Sequence, residues 1–260
     1  MSAAAAQASA APKAAAYYVG MGSSYASAPG VGRRAPGSPA QCLQSDSNYA
    51  HLFATQRHLS LNDQSCSGAT TESMLARWRG LPAQMDAVGP ATRLVTITVG
   101  GNDVDFVGDL YAWSCRNAPG RFGRRGPGAC KQTPNVPNDA AWTQLAHNFQ
   151  AVVAGIHQRS PRAEVVFVDY PTLVPAHGAC PNQLPLTPGE LATARAMAVR
   201  ASRCHATGSP RNGRATDCRR RSDRRAQRLL RRSRDEWPGF SCLRHGVRAD
   251  PLSRGEMHER

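Results

Sequence analysis

An α/β fold with a mainly parallel sheet is what this sequence predicts, and three observations carry it. Residues 94–99 form an unbroken, largely β-branched apolar run that ends at Gly100-Gly101, the pattern of a strand covered on both faces. Residues 17–21 form a second short run that passes directly into a Gly/Ser turn. Helical spacing alternates with runs of this kind, strand then helix three times over, which is the order of a parallel sheet with crossover helices.

The elements follow in order. Residues 29–48 are rich in Pro, Gly and Ser and read as loop. Residues 49–59 suit a short helix, and residues 71–78 another, with Thr70 or Thr71 as its cap. The strand at 94–99 comes next. Residues 114–138 read as a long loop holding Cys115 and Cys130, and loops of that length are usually functional, tethered or disordered. Residues 139–158 have helical spacing through Trp142, Leu145, Phe149, Val152, Val153 and Ile156. Residues 164–168 are the next strand, with Val166-Phe167-Val168 as its core. Thr187-Pro188-Gly189-Glu190 opens a last helix: Thr caps, Pro sits in the first turn, and Glu190 stands at the capping-box position.

The chain changes character near residue 199, which divides it into a leader at 1–15, a body at 16–199 and a tail at 200–260. The formal charge of +14 follows this division. Residues 1–195 carry a net +4, whereas residues 196–260 hold 17 Arg, no Lys and a net +10. The basic character therefore belongs to the tail, and nucleic acid is not the expected partner of the body. Residues 219–234 contain nine Arg, with only Ala226, Leu229 and Leu230 as apolar anchors, so a helix there has little face to bury. Residues after about 200 are expected to pack poorly on the body.

No run of 18 or more apolar residues occurs, so the sequence predicts no membrane span. The eight cysteines form no Cys-x-x-Cys pair, which disfavours a zinc ribbon and favours disulfides in an oxidising compartment. The Ala-rich start carries Ala-x-Ala triplets and resembles the end of a secretory signal, which fits a secreted protein. A disordered Ala-rich leader is the alternative.

Three short motifs carry chemistry: Gly22-Ser23-Ser24-Tyr25, Ser67-Gly68-Ala69-Thr70 and Gly100-Gly101-Asn102-Asp103. Each has a plain reading, as a turn, a disulfide-held loop and a helix cap. Together they fit a nucleophile with donors. A serine hydroxyl needs a base to take its proton and donors to receive the charge on the attacked carbonyl oxygen. Ser24 is the candidate nucleophile. Its own N–H, the Gly68 N–H and the Asn102 side-chain amide are the candidate donors. Ser24 follows the first strand and Asn102 follows the strand at 94–99. In a parallel sheet both then lie at one edge, although 78 residues separate them.

On these motifs the chain resembles the SGNH (GDSL-type) hydrolases, specifically the secreted, disulfide-containing esterases and lipases of actinobacterial type. The matching stretches are residues 18–30, Cys-Ser-Gly-Ala-Thr-Thr at 66–71, residues 95–103 and residues 184–195. The resemblance implies a three-layer, flavodoxin-like sandwich over residues 16–199. It implies Ser24 as nucleophile and Gly68 and Asn102 as oxyanion donors. It also implies Cys42–Cys66 and Cys115–Cys130 disulfides and a third involving Cys180. No metal or organic cofactor is implied.

Two departures stand against the family pattern. Gly-Asp-Ser becomes Gly22-Ser23-Ser24, which removes a carboxylate beside the nucleophile but keeps a hydrogen-bonding side chain. The family's closing Asp-x-x-His, which supplies the base, is absent: Asp217, Asp223, Asp235 and Asp250 are followed three residues later by Arg, Ala, Pro and Ser. His245 falls 65 residues after Cys180, about where that histidine would stand, and is the candidate base, although its neighbours do not match. His51, His58, His147, His157 and His177 lie at positions the family does not use. A shifted reading frame after about residue 199 would explain both the lost motif and the Arg-rich composition; a genuine basic tail is the alternative. Cys180 is then expected to lack its partner.

The expected activity is carboxylic-ester hydrolysis on a small-molecule or lipid ester, by a monomer with no obligate protein partner. The competing class is an inactivated hydrolase-like binding protein whose Arg-rich tail takes nucleic acid or an anionic surface.

Overall fold

The apolar run after Tyr17 forms β1 (Tyr18–Gly22), whose five residues are all buried. It is an inner strand of the sheet, which explains the absence of alternation. A computed structural model describes residues 18–122, 130 and 132–208. The leader at 1–15, residues 219–234 of the tail and His245 lie outside the described residues.

β1 is followed by a single helical turn, α1 (Ser24–Ser27), and by α2 (Tyr49–Arg57), capped by the Asn48 side chain, which accepts from the His51 N–H. The chain returns through β2 (Leu61–Asp63), α3 (Thr71–Leu75) and β3 (Leu94–Thr98). It goes on through α4 (Phe106–Asn117), α5 (Pro119–Phe122), α6 (Asp139–Arg159), β4 (Glu164–Phe167) and α7 (Pro188–Gly208). The four strands form one sheet in the order β2-β1-β3-β4, and every pair is parallel. Helices pack against it around a core that includes Val19, Met21, Val95, Ile97, Phe149 and Ile156. This is the three-layer α/β sandwich expected.

Several elements differ from the sequence reading. β2 was not foreseen; its three residues are all half-buried and carry no apolar alternation. α3 stops at Leu75 rather than at 78, because Ala76 turns extended, with φ −135° and ψ 162°. Trp78 and Leu81 then exchange backbone hydrogen bonds of 3.0 and 2.9 Å around a two-residue turn. Both residues between them are left-handed, Arg79 at φ 48° and Gly80 at φ 79°, the geometry of a tight hairpin turn. The long loop expected at 114–138 begins as helix instead. Phe106, Leu110 and Trp113 face the core at one helical stripe, and Cys115 is buried on α4.

The composition shift near residue 199 falls inside α7, which continues to Gly208. Residues just past 200 pack on the body, contrary to expectation. Cys204 is fully buried, His205 is 4% exposed, and Arg200 reaches Asp139 at 2.6 Å.

Cys42–Cys66 and Cys115–Cys130 are both disulfides. Cys180 is disulfide-bonded as well, and so is Cys204. The expectation that Cys180 lacks a partner is therefore corrected. Replacing Cys42 and Cys66 together by serine is expected to lower stability by about 2–4 kcal/mol, as loss of a disulfide that closes a loop of this length does. Chemical unfolding of the double variant checks this, and an unchanged midpoint would contradict it.

Candidate active site

The sheet order places the site. From β1 the chain moves to one side to make β2, then crosses back to the other side to make β3. The strand order therefore reverses between β1 and β3, and that crevice beyond the carboxyl ends is where open α/β sheets take ligands. β1 and β3 end at the same level, with Gly22 opposite Thr98. The Ser23 N–H donates to the Thr98 carbonyl at 2.9 Å. Ser24 thus follows β1 at the switch point, and Asn102 follows β3 at the same place.

Gly22 makes the turn that presents Ser24. Its φ is 146°, and a Cβ there would lie 2.4 Å from the Thr98 carbonyl oxygen and 2.6 Å from Ala26 Cβ. Only glycine fits. Its backbone is clamped by Gln84, which accepts from the Gly22 N–H at 2.8 Å and donates to its carbonyl at 3.0 Å. Ser24 is half-buried and begins α1, whereas Ser23 points inward and is 1% exposed.

The structure brings Ser24 and Asn102 together. Both line one shallow cleft, with Ser23, Tyr25, Gly101, Phe106, Val107 and Tyr170. Gly68 is not among the cleft-lining residues, but its loop is bound to them. The Asn102 amide donates to the Ala69 carbonyl at 2.8 Å, which fixes the side chain and leaves its second N–H over. The Cys66 N–H donates to the Gly22 carbonyl at 2.9 Å. The N–H groups of Ser67 and Ala69 are committed to the carbonyls of Cys42 and Cys66, each at 3.0 Å. Among the described residues no hydrogen bond engages the Gly68 N–H. Gly68 has φ 84°, a left-handed conformation that favours glycine.

Asp103 ties the Gly68 loop to the Asn102 turn. Its carboxylate accepts from the Thr71 N–H at 3.1 Å and from the Thr71 hydroxyl. Burial pushes its carboxyl above the usual range, against the lowering effect of those bonds. Thr71 Oγ in turn accepts from the Asn148 amide on α6 at 2.8 Å.

Three further residues gather here that sequence reasoning did not single out. Tyr170, just past β4, accepts from the Gly101 N–H at 2.9 Å, and its hydroxyl lies 3.3 Å from Ser23 Oγ. It packs edge-on against Tyr25, with ring centroids 4.8 Å apart. Burial pushes its phenol up to about 12, so at neutral pH it keeps its proton and can donate to Ser23. The side chain at 23 thus takes part in a link between the Ser24 turn and the Asn102 turn. Asp169 and His205 lie behind Tyr170. His205 Nδ1 is 2.7 Å from Asp169 Oδ1, and its Nε2 is 2.8 Å from the Val99 carbonyl oxygen. Its ring stacks on Tyr170 at 5.6 Å. Both ring nitrogens are engaged by these partners, and among the described residues no histidine lines the cleft. The signal for Asp169 and Tyr170 was their place at the end of a parallel strand; His205 was hidden by being counted with the tail.

Among the described residues, no group of three or more His, Cys, Asp and Glu side chains could hold a metal ion. No described helix is long and apolar enough to cross a membrane.

Comparison with known proteins decides the family. The model of the GDSL-like lipase/acylhydrolase family matches residues 21–210. The chain belongs to this family. Within it, Lipase 2 of Streptomyces coelicolor is 34% identical over 187 residues, covering 69% of this chain and 61% of that protein. A lipase of Streptomyces rimosus is 31% identical over 166 residues, covering 63% of this chain and 55% of that one. The chain thus spans less than two thirds of the length of these relatives. Among solved structures, the extracellular lipase of Streptomyces rimosus superposes with a TM-score of 0.56 at 29% identity, covering 74% of each chain. The phospholipase A1 of Streptomyces albidoflavus superposes with a TM-score of 0.56 at 25% identity, covering 75% of each. The GDSL-like family match starts at Met21 and so includes the Gly22-Ser23-Ser24 turn.

Proposed function

We propose that this protein is a carboxylic-ester hydrolase that works through Ser24. The observation that carries the reading is the presence of Ser24 and Asn102 in one cleft at the β1/β3 switch point. Family membership supports it. The Ser24 oxygen attacks the ester carbonyl carbon, and the carbonyl electrons move onto the oxygen. That oxyanion takes hydrogen bonds from the free N–H of Asn102, the Gly68 N–H and the Ser24 N–H. Collapse expels the alcohol and leaves an acyl-serine, which water then hydrolyses to the acid.

The proton of Ser24 needs an acceptor, and His205 is already committed to Asp169 and Val99. His245 is the candidate base that remains. Without a base held at Ser24 its hydroxyl is a far weaker nucleophile, and triad enzymes that lose the base lose about 10⁶ in turnover. Slow hydrolysis is therefore expected. The disulfides at Cys42–Cys66 and Cys115–Cys130 favour an oxidising, extracellular setting for this chain.

The test uses p-nitrophenyl acetate and butyrate. Wild-type protein should release p-nitrophenol above the buffer rate, and Ser24→Ala should return the rate to that of buffer. A wild-type rate equal to buffer, or a Ser24→Ala rate equal to wild type, would overturn the proposal. A large fall on His245→Ala would identify His245 as the base.

A further inference from the structure

One side chain beside the oxyanion donors has no role in the chemistry above. Arg79 occupies the tight turn between Trp78 and Leu81, and three features hold it in place. Its guanidinium lies over the Trp78 ring, 4.3 Å from the centroid. Its backbone is left-handed, with φ 48°, in a position where the chain bends most easily with glycine. Its carbonyl accepts from the Gln41 side-chain amide at 3.0 Å, next to the Cys42–Cys66 disulfide. A non-glycine residue is strained in this conformation, and here the hairpin bonds on either side impose it.

The place where Arg79 is held matters more. A Cβ built on Gly68 would meet Trp78 Cη2 at 3.5 Å and Arg79 Nη1 at 3.7 Å. The indole and the guanidinium therefore stand directly beside the glycine whose N–H is uncommitted. The arginine is exposed. The arginine–carboxylate pairs among the described residues are Arg33–Asp46, Arg116–Glu190 and Arg200–Asp139, so no described carboxylate neutralises Arg79. On the side of Ser24 and Asn102 the cleft is lined instead by Tyr25, Phe106 and Val107, with Val107 48% exposed. A substrate seated on the donors thus meets an apolar wall there and a fixed positive charge beside Gly68.

We propose that Arg79 is a specificity residue that takes an anionic group, carboxylate or phosphate, on an ester whose carbonyl sits at Ser24, Gly68 and Asn102. The planar guanidinium offers paired N–H donors that match either group. Stacking on Trp78 removes much of the freedom an exposed arginine otherwise loses on binding. This rests on the ester-hydrolase reading for where the carbonyl sits, and the test separates the two.

Binding is measured by calorimetry on Ser24→Ala, which holds substrate without turning it over. One arm compares mono-p-nitrophenyl glutarate, with its charge on the acyl side, against neutral p-nitrophenyl valerate. The other compares butyryl glycerol phosphate, with its charge on the alcohol side, against butyryl glycerol. In at least one arm the anionic ester should bind about fivefold tighter, the size expected of one exposed charge pair. Arg79→Gln in the same background should erase the preference, Arg79→Lys should keep part of it, and about 1 M salt should shrink it. The arm that shows the preference identifies which side of the ester carries the charge. Equal binding of charged and neutral esters in both arms, or a preference that survives Arg79→Gln, overturns the proposal. Turnover of neutral p-nitrophenyl valerate by the Ser24 protein is read separately. Its absence counts against the hydrolase reading, while the binding arms still decide the role of Arg79. Because Arg79 is exposed, Arg79→Gln is expected to melt with the parent, which a thermal scan confirms.

Discussion

Asn102→Ala is expected to lower kcat for short p-nitrophenyl esters by about 10²–10³, with KM little changed. Loss of one oxyanion donor typically removes about 2.7–4 kcal/mol of transition-state stabilisation. The effect falls on kcat because the donor meets full negative charge only once the carbonyl oxygen has become an oxyanion. The geometry adds a second loss. One N–H of Asn102 is tied to the Ala69 carbonyl at 2.8 Å, so the same side chain holds the Gly68 loop against the Asn102 turn. The loss should not depend on which residue serves as base, since the donor acts on the other end of the reacting bond. Steady-state kinetics with p-nitrophenyl butyrate measure it. A variant with unaltered kcat would remove Asn102 from the oxyanion hole, and one with raised KM alone would make it a binding residue.

The meeting of Ser24 and Asn102 was legible in the sequence because two facts sufficed: apolar runs without alternation, and turns at their carboxyl ends. β1 and β3 are covered on both faces, and such strands show as continuous runs. The edge strand was not legible, because Leu61, Asn62 and Asp63 are half-buried and neither length nor alternation marks them. The amphipathic stripe of α4 was present in Phe106, Leu110 and Trp113, but the Gly- and Pro-rich stretch after it obscured where the helix ends. Tyr170 is a different case. Its place just past a parallel strand is a weak local signal; it matters because β4 pairs with β3 and sets it over Gly101 and over Ser23, the latter 147 residues away in sequence. His205 was counted with an Arg-rich tail, yet α7 carries it back to the end of β3. Composition reported the boundary of a sequence bias there and not the end of the folded body.

Gly22→Ala is the second large effect expected. The added Cβ would stand 2.4 Å from a backbone oxygen of β3 and 2.6 Å from Ala26 Cβ, and neither is the end of a flexible side chain. The alanine would also have to hold φ 146°. Relief requires β1 to move away from β3 at the level where Gly22 pairs with Thr98, which breaks the Ser23 N–H bond to Thr98 and the Gln84 clamp. Strain and overpacking of this kind cost about 3 kcal/mol. For a body of this size that lowers the thermal midpoint by roughly 6–12 °C. Activity should fall further than stability does, because Ser24 is displaced even in molecules that remain folded. Calorimetry and ester turnover on the same sample separate the two losses. A variant that melts with wild type and turns over at its rate would show that the Gly22 turn does not set the position of Ser24.

Covalent labelling decides whether Ser24 is the nucleophile. Native protein is incubated with an alkyl fluorophosphonate, which is attacked by an activated serine and stays bound, and the adduct is located by mass spectrometry of the digested chain. A single adduct, slow to form, is expected on Ser24 and not on the buried Ser23 beside it, and absent from protein unfolded before labelling. An adduct on another serine, or none after prolonged incubation of folded protein, would contradict it.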